Sequence, residues 1–158
     1  MRANTIINTV FALICCVTFA TSASAQDKLL DVAVGAEHHE FSLEDLKALP
    51  VSSFETTTIW TDGPQTFEGI SLAALLAHLD VTEGTIKATA INDYSVTIPM
   101  SDATEDGAII AYLNNDEPMS RRGKGPLWIV YPYDSDIEYQ TETVYSRSIW
   151  QLDRLAIE

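Results

Sequence analysis

The chain has 158 residues and carries 23 Asp and Glu against 9 Lys and Arg, a formal net charge of −14. So acidic a surface repels phosphate polymers and anionic lipid, which sets aside general nucleic-acid and membrane-surface binding. Its only cysteines, Cys15 and Cys16, are adjacent and near the N-terminus, so no zinc or redox spacing of the CxxC type exists.

Met1–Asn4 reads as a short positive n-region, Ile6–Phe19 is largely apolar, and Ala23-Ser24-Ala25 is a small-residue cleavage pattern. These features predict a secretory signal peptide over residues 1–25, too short and wrongly flanked for a membrane span. The expected mature unit, residues 26–158, is one domain located in the periplasm. Cleavage would remove both cysteines and one basic residue, leaving 8 Lys and Arg against 23 acids, net −15. Such a domain would rely on its core, without a disulfide.

Leu29–Val34 and His38–Phe41 predict two strands around Gly35. The run "FSLEDLKALP" predicts a short helix. Ser42 caps it, Asp45 holds the capping-box position, Phe41 and Leu46 form a staple, and Pro50 stops it. Phe54–Ile59 is Thr-rich and β-prone. "GISLAALLAHL" predicts a second helix capped by Ser71, with Leu72, Leu75, Leu76 and Leu79 on one face. Thr85–Ile91 and Ser95–Ile98 predict strands around the turn Asn92-Asp93-Tyr94. Ser101-Asp102 starts a helical turn, and Ala108–Leu113 and Leu127–Tyr131 predict further strands. Ser146–Ile157 holds at least one more. Short helices among many strands point to an α+β fold with a mixed or β-sandwich-like sheet, not a doubly wound parallel one.

Little here supports a catalytic apparatus. Of three histidines, His78 lies on the Leu-rich helix, and His38 and His39 point to opposite faces of a strand. No metal-ligand spacing and no G-x-S-x-G elbow is present. "DSDIE" (134–138) lacks the spacing of a Ca²⁺ loop and reads as a solvated turn. The stretch "SRRGKGPLW" is different. Arg121, Arg122 and Lys124 sit within four positions of a strongly acidic chain and lead directly into Trp128. A guanidinium stacks on an indole and offers a planar donor fork. At an effective dielectric near 20, a unit charge at ~4 Å contributes roughly 4 kcal/mol before desolvation. Distant acids beyond the Debye length of about 8 Å are screened. The loop is therefore able to hold a flat, carbonyl-bearing ligand despite the chain's overall charge.

The ordered set "FEGISLAALLAHL", "AINDYSVTIP", "IAYLNNDEPMSRRGKGPLWIVYP" and "SRSIWQL" resembles the molybdopterin-binding domain of the sulfite-oxidase type, from about Phe41 to the C-terminus. The resemblance implies the α+β sulfite-oxidase fold with mixed sheets. It also implies a metal-ligating cysteine ahead of the first "G-v-x-L" helix, where this chain has Ile59-Trp60-Thr61-Asp62. The family's strand arginine is replaced by Trp128, while Arg147 stands where a basic residue meets the pterin phosphate. Within the family, the chain resembles the small exported PruR-type pterin-binding regulators. That resemblance implies a reduced pterin rather than the molybdenum cofactor as ligand. It also implies action on the periplasmic sensory domain of an inner-membrane enzyme of cyclic di-GMP. The expected site places Trp128 on one face of the pterin and Trp60 or Tyr94 on the other. Arg121, Arg122 and Lys124 donate to oxygens, Asp93 accepts from the 2-amino edge, and Arg147 secures the polar tail. The rival expectations are a molybdenum oxidoreductase with a non-cysteine ligand and a ligand-free structural or adaptor protein.

Overall fold

A computed structural model of the protein describes residues 27–158; the segment read as a signal peptide lies outside the described residues. The chain forms β1 (Lys28–Val34), β2 (Glu37–Ser42), α1 (Leu43–Lys47), β3 (Val51–Thr56), β4 (Gln65–Ser71), α2 (Leu72–His78), β5 (Thr85–Ala90) and β6 (Ser95–Pro99). These are followed by β7 (Ile109–Asn114), β8 (Glu117–Pro118), β9 (Trp128–Val130), α3 (Glu142–Arg147) and β10 (Leu152–Ile157), with 3₁₀ turns at Met100–Asp102 and Ile137–Tyr139.

Two sheets result. The first, in the order β2-β1-β10-β5-β6, is mixed: β1 and β10 run parallel and the other pairs antiparallel. The second, β3-β4-β7-β8 with β9 also on β7, is antiparallel. Period-two alternation sends Leu30 and Val32 of β1 inward and turns the half-buried Asp31 to the other face. One buried cluster draws on both sheets, with Leu30, Ile86 and Leu155 from the first, Phe67, Ile70 and Ile110 from the second, and Leu72 and Leu75 from α2. The α+β expectation with mixed sheets and short helices is met.

Local signals place the helix starts. Ser42 Oγ accepts from Asp45 N, and the Asp45 carboxylate accepts from Ser42 N, closing the capping box. Ser71 caps α2, which buries Leu72, Leu75 and Leu76. Three elements were not anticipated: strand β4, helix α3 and the two-residue β8. In β4 the register shifts at Glu68/Gly69 opposite β7. A Cβ on Gly69 would stand 2.1 Å from the Ile110 carbonyl oxygen, so only glycine permits this approach of the two main chains. His78 lies exposed with its ring edge-on to Phe41 at 6.0 Å.

The sheet surface makes acid stability predictable. Burial draws the Asp31 carboxyl upward, but hydrogen bonds from His38 and Lys28 outweigh it and hold the group below its ordinary value. Bonds from Ser42 do the same for Asp45, and bonds from Thr57 do so for Asp134. A folded pKa below the unfolded one contributes stability that is present above the unfolded value and is lost as pH falls through the folded value. Thermal stability is therefore expected to hold down to about pH 4, the ordinary carboxylate range, and to fall below it. A melting temperature that keeps rising on acidification past that point would contradict these assignments.

Candidate ligand cleft

The site forms where the two sheets are stitched together. Between α3 and β10 the chain runs alongside the start of β9: Ile129 N donates to Ile149 O, Gln151 N to Lys124 O and Leu152 N to Leu127 O. Ile91 N, at the end of β5, donates to Gln151 O. The loop after β3 brings Trp60 to this seam. A cavity of about 250 Å³ opens there, lined by Trp60, Asn92, Tyr94, Tyr145, Ser146, Trp150 and Gln151, with Ala90, Ser148 and Ile149 at its back. Its size is just below the usual range of about 300–1,000 Å³ for small-molecule pockets.

Trp60 is the hub of its walls. Its ring meets Trp150 at 5.7 Å, Tyr145 at 5.8 Å, Trp128 at 5.9 Å and Tyr133 at 6.3 Å, all edge-to-face. Such pairs stabilise by about 0.5–1.5 kcal/mol each beyond area burial. Behind them a polar chain fixes α3. Trp128 Nε1 donates to Ser148 O, Tyr133 Oη donates to Ser148 Oγ, and Ser148 Oγ donates to Val144 O. Burial pushes the Tyr133 phenol well above its ordinary range, so it serves as a neutral donor. Tyr131 Oη and Arg147 Nη1 both donate to Asp102 Oδ2, at 2.8 and 2.9 Å, tying the turn after β6 to α3.

The expected site residues divide into those the fold brings together and those it does not. Trp60 and Tyr94 line the cleft, and Tyr94 is 56 % exposed at its mouth. Trp128 is corrected: it has no exposed surface, being enclosed by Phe67, Trp60 and Trp150, so it offers no ring face to a ligand. Asp93 is also corrected. It lies outside the cleft, in a left-handed turn at φ 66°, paired with Arg154 of β10. Arg147 is held by Asp102 and is not among the lining residues. Arg121 and Arg122 are exposed, line no part of the cleft and make no ion pair among the described residues. Their loop nevertheless borders it: Gln151 Nε2 donates to Arg121 O at 2.7 Å, and Lys124 Nζ lies 5.4 Å from the Trp128 ring and 5.2 Å from the Trp150 ring. Trp150, Tyr145, Asn92 and Gln151 were not anticipated as site residues. Their one sequence signal was aromatic or amide character close to a predicted turn or strand end. Tyr133, beneath the cleft, is buried at 1 % exposure.

A mixed sheet and an antiparallel sheet joined through such a seam define an α+β domain. Residues 23–134 match the oxidoreductase molybdopterin binding domain, and the chain belongs to that family. No curated protein matches the sequence. Among solved structures, the fold is similar to the crystal structure of the sulfane dehydrogenase SoxCD from Paracoccus pantotrophus. The TM-score is 0.62 at 20 % identity, over 85 % of this chain and 39 % of that one. The likeness is one of fold, and this chain spans well under half of its relative's length.

The family's cofactor has a flat pterin, a phosphate and a metal-binding dithiolene, and the cleft suits only the first. Its aromatic walls and amides match a flat heterocycle. No cation lines it for a phosphate. Residues 27–158 contain no cysteine, and no group of three His, Asp or Glu converges among the described residues. An indole, Trp60, occupies the stretch where the resemblance expects a thiolate.

Proposed function

We propose that the protein binds a reduced pterin in this cleft, without molybdenum, and acts by binding rather than by turnover. The observation that carries the reading is the cleft walled by Trp60, Tyr94 and Trp150 in a chain whose cysteines all lie at positions 15 and 16. A soft metal centre in this family would need a thiolate; a pterin ring needs aromatic faces and an amide edge. Asn92 Oδ1 accepts from Tyr94 N, and Gln151 Nε2 donates to Arg121 O and Gly123 O. Those bonds leave an amide donor on Asn92 and an amide acceptor on Gln151, which complement a pterin carbonyl and its N–H edge. The N-terminal pattern supports operation in the periplasm. The resemblance to pterin-binding regulators supports a relay of occupancy to the sensory domain of an inner-membrane enzyme that makes or degrades cyclic di-GMP.

Anaerobic calorimetry with a tetrahydropterin tests the reading. Saturable one-to-one heat is expected, and Trp60→Ala should weaken binding by roughly ten- to a hundredfold, the loss of one aromatic stack. Elemental analysis of the same sample should show no stoichiometric molybdenum. An absence of heat overturns pterin binding. Bound metal with turnover of an electron donor restores the oxidoreductase reading. Capture of the sensory domain that depends on added pterin is the expected outcome for the relay.

A further inference from the structure

Trp60, on which the cleft depends, sits in a loop with few ties. Residues 57–64 leave β3, an edge strand, and return into β4. Within the loop, Thr58 Oγ1 bonds Thr61 Oγ1 and accepts from Trp60 N, and Gln65 Nε2 donates to Asp62 O and Pro64 O. The Thr58 bonds shape the loop, and Gln65, at the start of β4 and bonded through Oε1 to Asn115 Nδ2, anchors only its return end, so they leave the exit from β3 unfixed. At the β3 end, the polar attachment found among the described residues comes from Asp134, 77 residues away, in the segment that follows β9. Asp134 Oδ2 accepts from Thr57 N and Oδ1 from Thr57 Oγ1, both at 2.6 Å. In return, Asp134 N donates to the buried Thr56 Oγ1 at 3.1 Å. β3 and β9 are separated in their sheet by β4 and β7, so no ladder makes this connection. The hydroxyl and amide of Thr57 hold the Asp134 carboxyl below its ordinary pKa, consistent with a carboxylate gripping both donors of one residue.

We propose that Asp134 is the positioning residue of the cleft: by clamping Thr57 it sets the exit of the loop from β3 and thereby the placement of the Trp60 ring against Trp150 and Tyr145. A direct consequence is that the segment after β9 and the wall of the cleft move together. The loop that begins at Asp134 carries Ile137, 74 % exposed, and is thereby mechanically joined to the ring that would meet a ligand. The inference deepens the pterin-binding reading and rests on it for one of its two readouts only.

The first readout needs no ligand. The chain has three tryptophans, so 5-fluorotryptophan labelling gives three ¹⁹F resonances, assigned with single Trp→Phe variants. Asp134→Ala is expected to shift or broaden the Trp60 resonance most, with smaller ring-current changes at Trp128 and Trp150, whose rings pack against it. Asp134→Asn should restore it, because an amide oxygen still accepts from Thr57 N and the amide nitrogen donates to Thr57 Oγ1. Thr57→Val, which deletes one of the two bonds, should fall between. The second readout is tetrahydropterin affinity, expected to drop about tenfold in Asp134→Ala and to recover in Asp134→Asn. A Trp60 resonance identical in the wild type, Asp134→Ala and Thr57→Val overturns the proposal, as does displacement of the Trp128 resonance as large as that of Trp60, which marks general loosening. If Asp134→Ala does not fold, Thr57→Val and Asp134→Asn decide by the same criteria. If the wild type takes up no pterin, the functional reading fails, while the fluorine spectra still decide the role of Asp134.

Discussion

Trp128→Ala is expected to lower stability by about 3–5 kcal/mol, the range for deleting a large buried aromatic. The indole has no exposed surface and packs edge-on against Phe67 at 5.2 Å, Trp60 at 5.9 Å and Trp150 at 6.2 Å. Its Nε1–H also serves the Ser148 carbonyl, the hub that orients α3. Removing the ring opens a cavity beneath the cleft and leaves that carbonyl short of a donor. Urea unfolding should show the loss as a lower midpoint with a similar slope. The melting temperature should drop by roughly 10 °C or more. A variant that keeps wild-type stability yet loses the ligand would instead return Trp128 to the role of a stacking face.

Gly69→Ala is expected to cost about 3 kcal/mol or more, at the upper end for an overpacked core. The new methyl would meet Ile110 O at 2.1 Å, Ile110 C at 2.6 Å and Ala111 Cα at 2.7 Å. These are main-chain atoms of the neighbouring central strand, and no side chain is available to swing aside. The β4–β7 pair would have to separate where the register already shifts. Gly35→Ala makes a useful contrast. Its φ of 60° is unfavourable for alanine, but nothing lies within 4 Å, so its cost should stay near the 1–2 kcal/mol of a left-handed residue. Equal stabilities for the two variants would show that the sheet gives way at Gly69 more easily than its packing implies.

The contrast between those glycines parallels what could be read without coordinates. Features written in a few consecutive residues were legible: the Ser42–Asp45 box, the leucine face of α2 and the alternation along β1. β4 was not, because "QTFEGIS" breaks alternation at Gly69, and what fills the gap is the backbone of a distant strand. α3 was missed because its six residues bury only Val144 and so show no helical stripe. Within the site, Trp60 and Tyr94 could be found as aromatics beside loops. Depth could not: the cations next to Trp128 in sequence gave no measure of how far its indole is enclosed. Trp150 and Tyr145 reach the cleft because β10 inserts between β1 and β5, a pairing over long separation that no local pattern encodes. Asp93 was assigned to a ligand because its partner, Arg154, is 61 residues away.

The three indoles have a spectroscopic consequence. Trp60, Trp128 and Trp150 form a closed triangle with centroid separations of 5.9, 5.7 and 6.2 Å and interplanar angles of 64–72°. Chromophores this near and this inclined share excitation, so the folded protein should show an exciton couplet in circular dichroism that vanishes on unfolding. Since every tryptophan of the chain belongs to the triangle, no distant emitter dilutes the signal. Whatever settles against Trp60 would perturb all three oscillators at once, giving the molecule an intrinsic optical gauge of its own occupancy.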